Sequence, residues 1–247
     1  MSGHSKWSTI KHKKGALDKK RGKIFTKLIK EITVAAKDGG PDIEMNPRLR
    51  LAVANAKGKN MPKDTIDRAI KKVAGGEAEE YHELTYEGYA TNGVAVFVEC
   101  TTDNLNRTVA AVRSIFTKHG GTLGTNGSLE FIFDRKGIFV LPVPEGLDED
   151  EITLELIDGG AEDVVIEEGL MTITSAMEDF GNMQKKLEEL GIEAENAELE
   201  RIPNTYVSLS DADFGNVMKT IDALEDDDDV QKVFHNIEAT DAQLESL

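Results

Sequence analysis

The chain has 247 residues, of which 39% are hydrophobic and 30% charged, and a formal net charge of -17. This length allows one to three domains with cores of their own. No apolar run approaches the roughly 18 residues that cross a bilayer, and the basic N-terminal segment lacks the apolar stretch of a signal peptide. The single cysteine, Cys100, excludes an intrachain disulfide. We therefore expect a cytoplasmic protein without membrane contact.

The charge is distributed very unevenly along the chain. Residues 1–75 contain 19 Lys and Arg against 7 Asp and Glu, a net charge of +12, whereas residues 76–247 contain 10 against 39, a net charge of -29. The two parts sum to -17. Because binding depends on the local field within about 8 to 10 Å, the first part can attract an anionic partner despite the acidic total. Nucleic-acid phosphate is the commonest such partner.

The first thirty residues hold ten Lys or Arg against one acid, Asp18. Such a dense cluster of like charges costs stability unless an anion neutralises it. Trp7 lies inside the cluster and either packs locally or stacks on a base. The candidate nucleic-acid contacts are His4, Lys6, Trp7, Lys11, Lys13, Lys14, Lys19, Lys20, Arg21, Lys23, Lys27, Arg48 and Arg50.

Apolar periodicity predicts three helices after an arm at residues 1–17 that is flexible or ordered by a partner. The first covers residues 19–37 and ends at the Asp-Gly-Gly-Pro run that follows. Asn46 and Pro47 have the residue types of an N-cap and a first helical position, and they open the second helix. The third begins near residue 62 and ends at Gly75. Three short amphipathic helices predict a small basic bundle.

Strands and helices alternate after a linker at residues 75–84. A first βαβ unit is predicted at residues 93–133, with its helix at residues 104–119 and its second strand around residues 129–133. A βαββαβ unit follows, with strands at residues 138–143, 163–167, 170–174 and 194–201 and helices at residues 149–158 and 176–190. A last βαβ unit has strands at residues 206–209 and 230–234 around a helix at residues 211–224.

The predicted fold is α+β, with an N-terminal three-helix bundle and two ferredoxin-like α/β domains, one inserted in the other. Pairing of the first and last βαβ units would complete a second βαββαβ sheet. The expected domains are residues 1–79, residues 80–134 with 203–247, and the insertion at residues 135–202. In the alternative arrangement, the last βαβ unit extends the inserted sheet.

The remaining motifs are more typical of structure than of chemistry. The glycine-rich run at residues 120–127 follows a helix and lacks the ending of a phosphate loop, so it predicts a helix cap and a flexible loop. Asp103 or Asn104 predicts an N-cap, although Asn106 and Arg107 at the helix start could hold an anion. The acidic run at residues 226–229 predicts a solvated turn, with weak cation binding as the alternative.

The sequence contains no pattern typical of a catalytic or metal site. The five histidines are scattered, with no second cysteine to join them, and the surroundings of Cys100 do not lower a thiol pKa. No GxSxG or Ser-His-Asp pattern occurs. We expect no enzyme, no metal and no cofactor.

Several short motifs follow one another along the chain. They are GHSKW at residues 3–7, DKKRGKIFTK at 18–27, NPRLR at 46–50, NMP at 60–62, IDRAI at 66–70, YEGY at 86–89, DN and NRT within 103–108, and HGG at 119–121 leading to Gly124. In these stretches the chain resembles the YebC family, also called the translational activator of cytochrome oxidase family. They cover nearly the whole chain in the family's order. Residues 89–93 and 100–102 depart from the family pattern in two loops.

The resemblance implies a three-domain, cytoplasmic, non-enzymatic protein, of the kind described as a probable transcriptional regulator that binds DNA. It also implies an alternative, since other members look like ribosome-associated factors that help translation through stretches such as proline runs. A duplex-DNA regulator would place Lys and Arg on phosphates, but a helix face rich in Arg, Asn and Gln is missing. A flexible Lys-rich arm with one aromatic residue suits irregular ribosomal RNA.

A protein-binding scaffold with an incidental basic tail is a third hypothesis. We expect a monomer in each case.

Overall fold

The computed structural model describes residues 18–143, 146, 148–167 and 169–245, with side chains from residue 22 onward. Its helices are α1 (Asp18–Gly39), α2 (Pro47–Gly58), α3 (Lys63–Ala74), α4 (Leu105–Lys118), α5 (Glu149–Asp158), α6 (Phe180–Glu189), α7 (Asp211–Glu225) and α8 (Asp241–Glu245). Its strands are β1 (His82–Tyr89), β2 (Ala95–Thr102), β3 (Thr122–Leu123), β4 (Phe133–Pro142), β5 (Ala161–Glu167), β6 (Leu170–Ala176), β7 (Asn196–Pro203), β8 (Val207–Ser208), β9 (Val230–His235) and β10 (Ile237–Glu238). The predicted α+β class is confirmed.

Helices α1, α2 and α3 pack their apolar stripes into one core, which includes Ile32, Leu49 and Ile66. The predicted cap of α2 is confirmed, because the Asn46 side chain accepts a hydrogen bond from the Leu49 amide at 3.0 Å. The side-chain nitrogen of Asn46, Nδ2, also donates to the Ala35 carbonyl of α1 at 2.7 Å. One asparagine therefore starts α2 and ties it to α1.

The chain on both sides of the insertion builds one four-stranded antiparallel sheet in the order β3-β1-β2-β9. Helices α4 and α7 cover one face, with Val112, Phe116, Val217 and Ile221 in the core between them. Residues 129–133 cover part of the other face. The last strand of this sheet, β9, pairs with β2, so segments more than a hundred residues apart share one core.

The strand order differs from the expected pairing of two βαβ units. Strand β1, at residues expected to lie partly in a linker, occupies the place beside β2, and β8 pairs in parallel with β10 instead. The sequence signal for β1 is its alternation, since Leu84 and Tyr86 pack toward the core and polar residues stand at the positions between and beside them. The Gly- and Glu-rich run that precedes these residues favours the prediction of a linker. Gly88 is required there, because a Cβ would lie 2.6 Å from the Thr122 carbonyl oxygen of β3.

The inserted segment forms a second antiparallel sheet in the order β5-β6-β4-β7. This is the ferredoxin-like arrangement, with α5 and α6 packed on one face through Leu156, Met183 and Leu187. The two strands expected around residues 129–133 and 138–143 form one long strand, β4, that begins at Phe133. The Leu129 side chain is buried in a turn before it.

The helical bundle also contacts the inserted sheet. The side-chain amide of Asn55 donates to the Ala197 carbonyl at 2.9 Å and its oxygen accepts from the Ala197 amide at 3.2 Å, so α2 pairs with the edge strand β7. At the end of α2, a Cβ on Gly58 would collide with the Glu195 carbonyl oxygen. These contacts cover a sheet edge that would otherwise expose unpaired backbone groups.

Candidate nucleic-acid interface

Helix α1 presents Lys23, Lys27 and Lys30 on one side, because residues three and four apart are neighbours on a helix surface. That side lies against the C-terminal end of α7 and the acidic turn that follows it. We call the part of the fold built on the sheet β3-β1-β2-β9 the split sheet unit. We call Lys23, Lys27 and Lys30 the docked lysines, because each donates to this end of that unit. They are therefore contacts between units of the fold.

Backbone carbonyls at the end of α7 accept hydrogen bonds from two of these lysines. Lys27 Nζ donates to the Glu225 carbonyl oxygen at 2.8 Å, and Lys23 Nζ donates to the Asp226 carbonyl oxygen at 2.8 Å and to its Oδ1 at 3.2 Å. The last carbonyls of a helix lack intrahelical partners and carry the negative end of the helix dipole. Cations at this position satisfy these carbonyls and stabilise α7.

Lys30 makes the most buried of these contacts. Its Nζ donates to the Thr101 carbonyl at 3.1 Å, to the Asp228 carbonyl at 2.7 Å and to Oδ1 of Asp229 at 2.9 Å. Lys30 is only 7% exposed and Asp229 only 5%. The full ring of acceptors compensates the loss of water around a buried ammonium.

Asp229 connects three elements of the fold. Besides Lys30 of α1, it accepts hydrogen bonds from the Arg107 guanidinium at 2.8 to 3.0 Å and from the Thr108 hydroxyl at 3.0 Å, both in α4. Burial alone would raise the pKa of this carboxyl, but the hydrogen bonds from Lys30, Arg107 and Thr108 lower it below its usual value. The prediction of a solvated turn is wrong for Asp229.

The predicted N-cap of α4 is confirmed, since Asn104 accepts a hydrogen bond from the Arg107 amide at 3.0 Å. The guanidinium of Arg107 forms ion pairs with Asp229 and Asp103, so it is not available to hold an external anion. The hydrogen bond from Arg107 lowers the pKa of Asp103. This cluster therefore stabilises the start of α4.

Two other predicted contacts, Arg48 and Arg50, belong to α2. Arg48 bridges Asp38 at the end of α1, at 2.6 Å, and Glu83 of β1. Arg50 donates to the Glu44 carbonyl at 2.6 Å, within the loop that precedes its own helix. Both arginines are exposed, so they stay accessible to solvent.

Six further cations of the bundle are exposed and, within the described part of the chain, have no side-chain hydrogen bond or ion pair. One of them, Lys37, lies in the last turn of α1. We call the other five, which lie on α2 or α3, the free basic face: Lys57, Lys63, Arg68, Lys71 and Lys72. The apolar stripe of α3, with Ile66 and Ala69 buried, points the other way into the bundle.

The structure therefore separates the residues that the sequence grouped together. His4, Lys6, Trp7, Lys11, Lys13 and Lys14 lie outside the described residues. Lys19, Lys20 and Arg21 lie in the first turns of α1, before the described side chains begin. The free basic face is not among the predicted candidates, although the excess of cations at residues 47–74, eight Lys and Arg against two Asp, could have shown it.

Other motifs of the sequence have structural roles here. Buried Glu87 accepts hydrogen bonds from the backbone amides of Gly127, at 2.7 Å, and Leu129, at 2.6 Å, so a carboxylate already fills the glycine-rich loop. Burial, with nearby Asp227 and Asp229, raises the pKa of the Cys100 thiol to about 12. Among the described residues, no group of three or more His, Cys, Asp or Glu side chains is placed to hold a metal ion.

Comparison with known proteins gives a family for the chain. The profile described as TACO1/YebC protein N-terminal domain matches residues 5–76, and the profile described as TACO1/YebC second and third domain matches residues 81–237. The chain belongs to the TACO1/YebC family. Within the described residues, no helix is long and apolar enough to cross a membrane.

Relatives in this family are similar over their full length. A protein of Amoebophilus asiaticus named "Probable transcriptional regulatory protein" is 56% identical over 96% of this chain and 98% of its own. A protein of the same name from Geotalea uraniireducens is 52% identical over 100% of both chains. The crystal structure of the conserved hypothetical protein Aq1575 from Aquifex aeolicus has a TM-score of 0.81 and 45% identity, and the match covers 91% of this chain and 93% of that one.

Proposed function

We propose that this chain is a regulator of transcription that binds DNA through its N-terminal helical unit, acts by binding and not by catalysis, and works in the cytoplasm as a monomer. The names of its relatives support the regulatory role. We also infer three units, at residues 1–79, at residues 80–134 with 203–247, and at residues 135–202.

The charge asymmetry carries this proposal. The helical unit belongs to the part of the chain with net charge +12, and six of its cations are exposed without a side-chain partner in the described chain. The rest of the chain, with net charge -29, repels a polyanion. DNA is therefore expected to approach from the bundle side only.

The contacts available are mainly of one kind. Lys and Arg on exposed helix faces bind phosphate oxygens, which fix position on the duplex without reading sequence. The exposed face of α3 has one Arg and three Lys and no Asn or Gln, the side chains that pair with adenine in the major groove. We infer that the affinity is largely electrostatic and falls steeply with salt.

Binding of the full chain to a 20-base-pair random-sequence duplex and to a single-stranded RNA of equal length, at several salt concentrations, tests the proposal. We expect the duplex to bind with a steep negative slope of log affinity against log salt. Replacing Lys19, Lys20 and Arg21 by Gln should reduce that slope by about 0.9 for each phosphate that the variant no longer neutralises. A chain that binds neither probe would refute nucleic-acid binding.

Crosslinking in cells that express the chain, followed by sequencing of the attached nucleic acid, tests the regulatory role. Discrete promoter fragments are the expected result. Recovery of ribosomal RNA from one site, without promoter DNA, would instead identify the ribosome as the partner and contradict the proposed role.

A further inference from the structure

Two groups of cations on the bundle have different surroundings. The docked lysines, Lys23, Lys27 and Lys30, donate to backbone carbonyls and carboxylates at the end of α7 and the turn after it. The free basic face has no such partner within the described residues. Sequence alone does not separate the groups, because both lie on amphipathic helices with similar spacing.

A docked lysine has to break existing bonds before it can bind phosphate. Lys30 would give up three acceptors in a site where it is 7% exposed. Lys27 would leave the Glu225 carbonyl at the end of α7 without its cation. The acidic turn at residues 226–229 would also lie beside the phosphates and repel them.

The free basic face meets none of these obstacles. Residues 47–74 carry eight Lys and Arg against two acids, Asp64 and Asp67, so the field outside α2 and α3 is positive. On α3, Arg68, Lys71 and Lys72 lie close together on the side opposite the apolar stripe, because they fall within about 100° of one another around the axis at 3.6 residues per turn.

From this partition we propose that the free basic face of α2 and α3 is the surface that contacts the phosphates of duplex DNA, whereas the docked lysines position α1 on the split sheet unit. The proposal rests on the proposed function and adds the surface that carries it. It removes Lys23 and Lys27 from the set of DNA contacts.

A purely structural role is the competing explanation for two of these residues. Lys71 and Lys72 lie in the last turn of α3, where cations stabilise the helix dipole without any ligand. The two explanations differ in what a substitution changes. A structural role affects the free energy of unfolding, whereas a phosphate contact affects DNA affinity and its dependence on salt.

The test compares two full-length variants that each remove two charges from the bundle, K71Q/K72Q and K23Q/K27Q. The probe is the 20-base-pair random-sequence duplex, and binding is measured from about 0.05 to 0.3 M salt. We expect K71Q/K72Q to reduce the steepness of log affinity against log salt by about 1.8, which is 0.9 for each of two phosphates. If the wild type and the variant bind equally at 1 M salt, this change in slope weakens binding roughly 60-fold at 0.1 M. K23Q/K27Q should keep the wild-type slope and unfold at a lower temperature.

A salt slope that falls with K23Q/K27Q and stays at the wild-type value with K71Q/K72Q would overturn the proposal. Equal reductions of slope in both variants would also overturn it, since the docked lysines would then contact DNA. Failure of the wild-type chain to bind the duplex at all is a separate result, which refutes the proposed function itself. Circular dichroism of both variants checks that they fold.

Discussion

Replacement of Asp229 by Asn tests whether this carboxylate holds α1 and α4 on the split sheet unit. The amide keeps the shape of the side chain but removes the charge between Lys30 and Arg107. Removing one partner of a buried ion pair costs about 3 to 5 kcal/mol. We expect the lower end, about 3 kcal/mol, because Lys30 keeps two carbonyl acceptors and Arg107, which is 51% exposed, keeps Asp103.

The measurement is thermal unfolding of the wild-type chain and of D229N, supported by urea titrations. For a chain of this size, about 3 kcal/mol corresponds to a fall in Tm of roughly 6 to 12 °C. The matched control is D228N, which removes the same charge from the neighbouring exposed side chain and should change stability by no more than about 0.5 kcal/mol. Equal effects of D229N and D228N would refute the role assigned to Asp229.

The difference in the free energy of unfolding between wild type and D229N depends on pH with a definite sign. The pKa of Asp229 is lower in the folded chain than its usual value of about 3.9. Its contribution is therefore complete above about pH 4 and is lost as the pH falls through the folded-state pKa. The gap between wild type and D229N should be full at about pH 7 and should narrow below about pH 4.

Two further predictions concern the packing between units and the buried thiol. N55A should reduce the free energy of unfolding by about 1 to 3 kcal/mol and speed hydrogen exchange at the Ala197 amide, because both backbone groups of Ala197 on β7 lose their partner. K57A on the same helix is the control. Equal effects of the two variants on stability and exchange would contradict this account. Cys100, which is 2% exposed with a pKa raised to about 12, should not react with a thiol reagent at about pH 8 until the chain is unfolded in urea, whereas rapid labelling of the folded chain would contradict its burial.

Local sequence patterns predict most elements because the forces that shape them act over a few residues. The apolar stripes of α1, α2 and α3, and the caps Asn46 and Asn104, lie within one or two turns of the backbone they organise. Strand β1 escapes prediction because the Gly- and Glu-rich run at residues 75–83 favours a linker over its first residues, and its pairing with β3 joins distant segments. The pairing of β2 with β9 is not visible in any local window.

The order of the residues is enough to establish the α+β class, the basic helical unit and the acidic remainder, since composition and periodicity depend only on which residues follow one another. Which cations are available to a ligand depends instead on the tertiary fold. Lys27 lies 198 residues from Glu225, and Lys30 lies 199 residues from Asp229, so nothing local to α1 indicates that their charges are already neutralised. Lys71 and Lys72 have the same chemistry but no such partner within the described chain. Whether a lysine joins two units or faces a ligand depends on what the fold brings beside it, because ion pairs form through space and over a few ångströms.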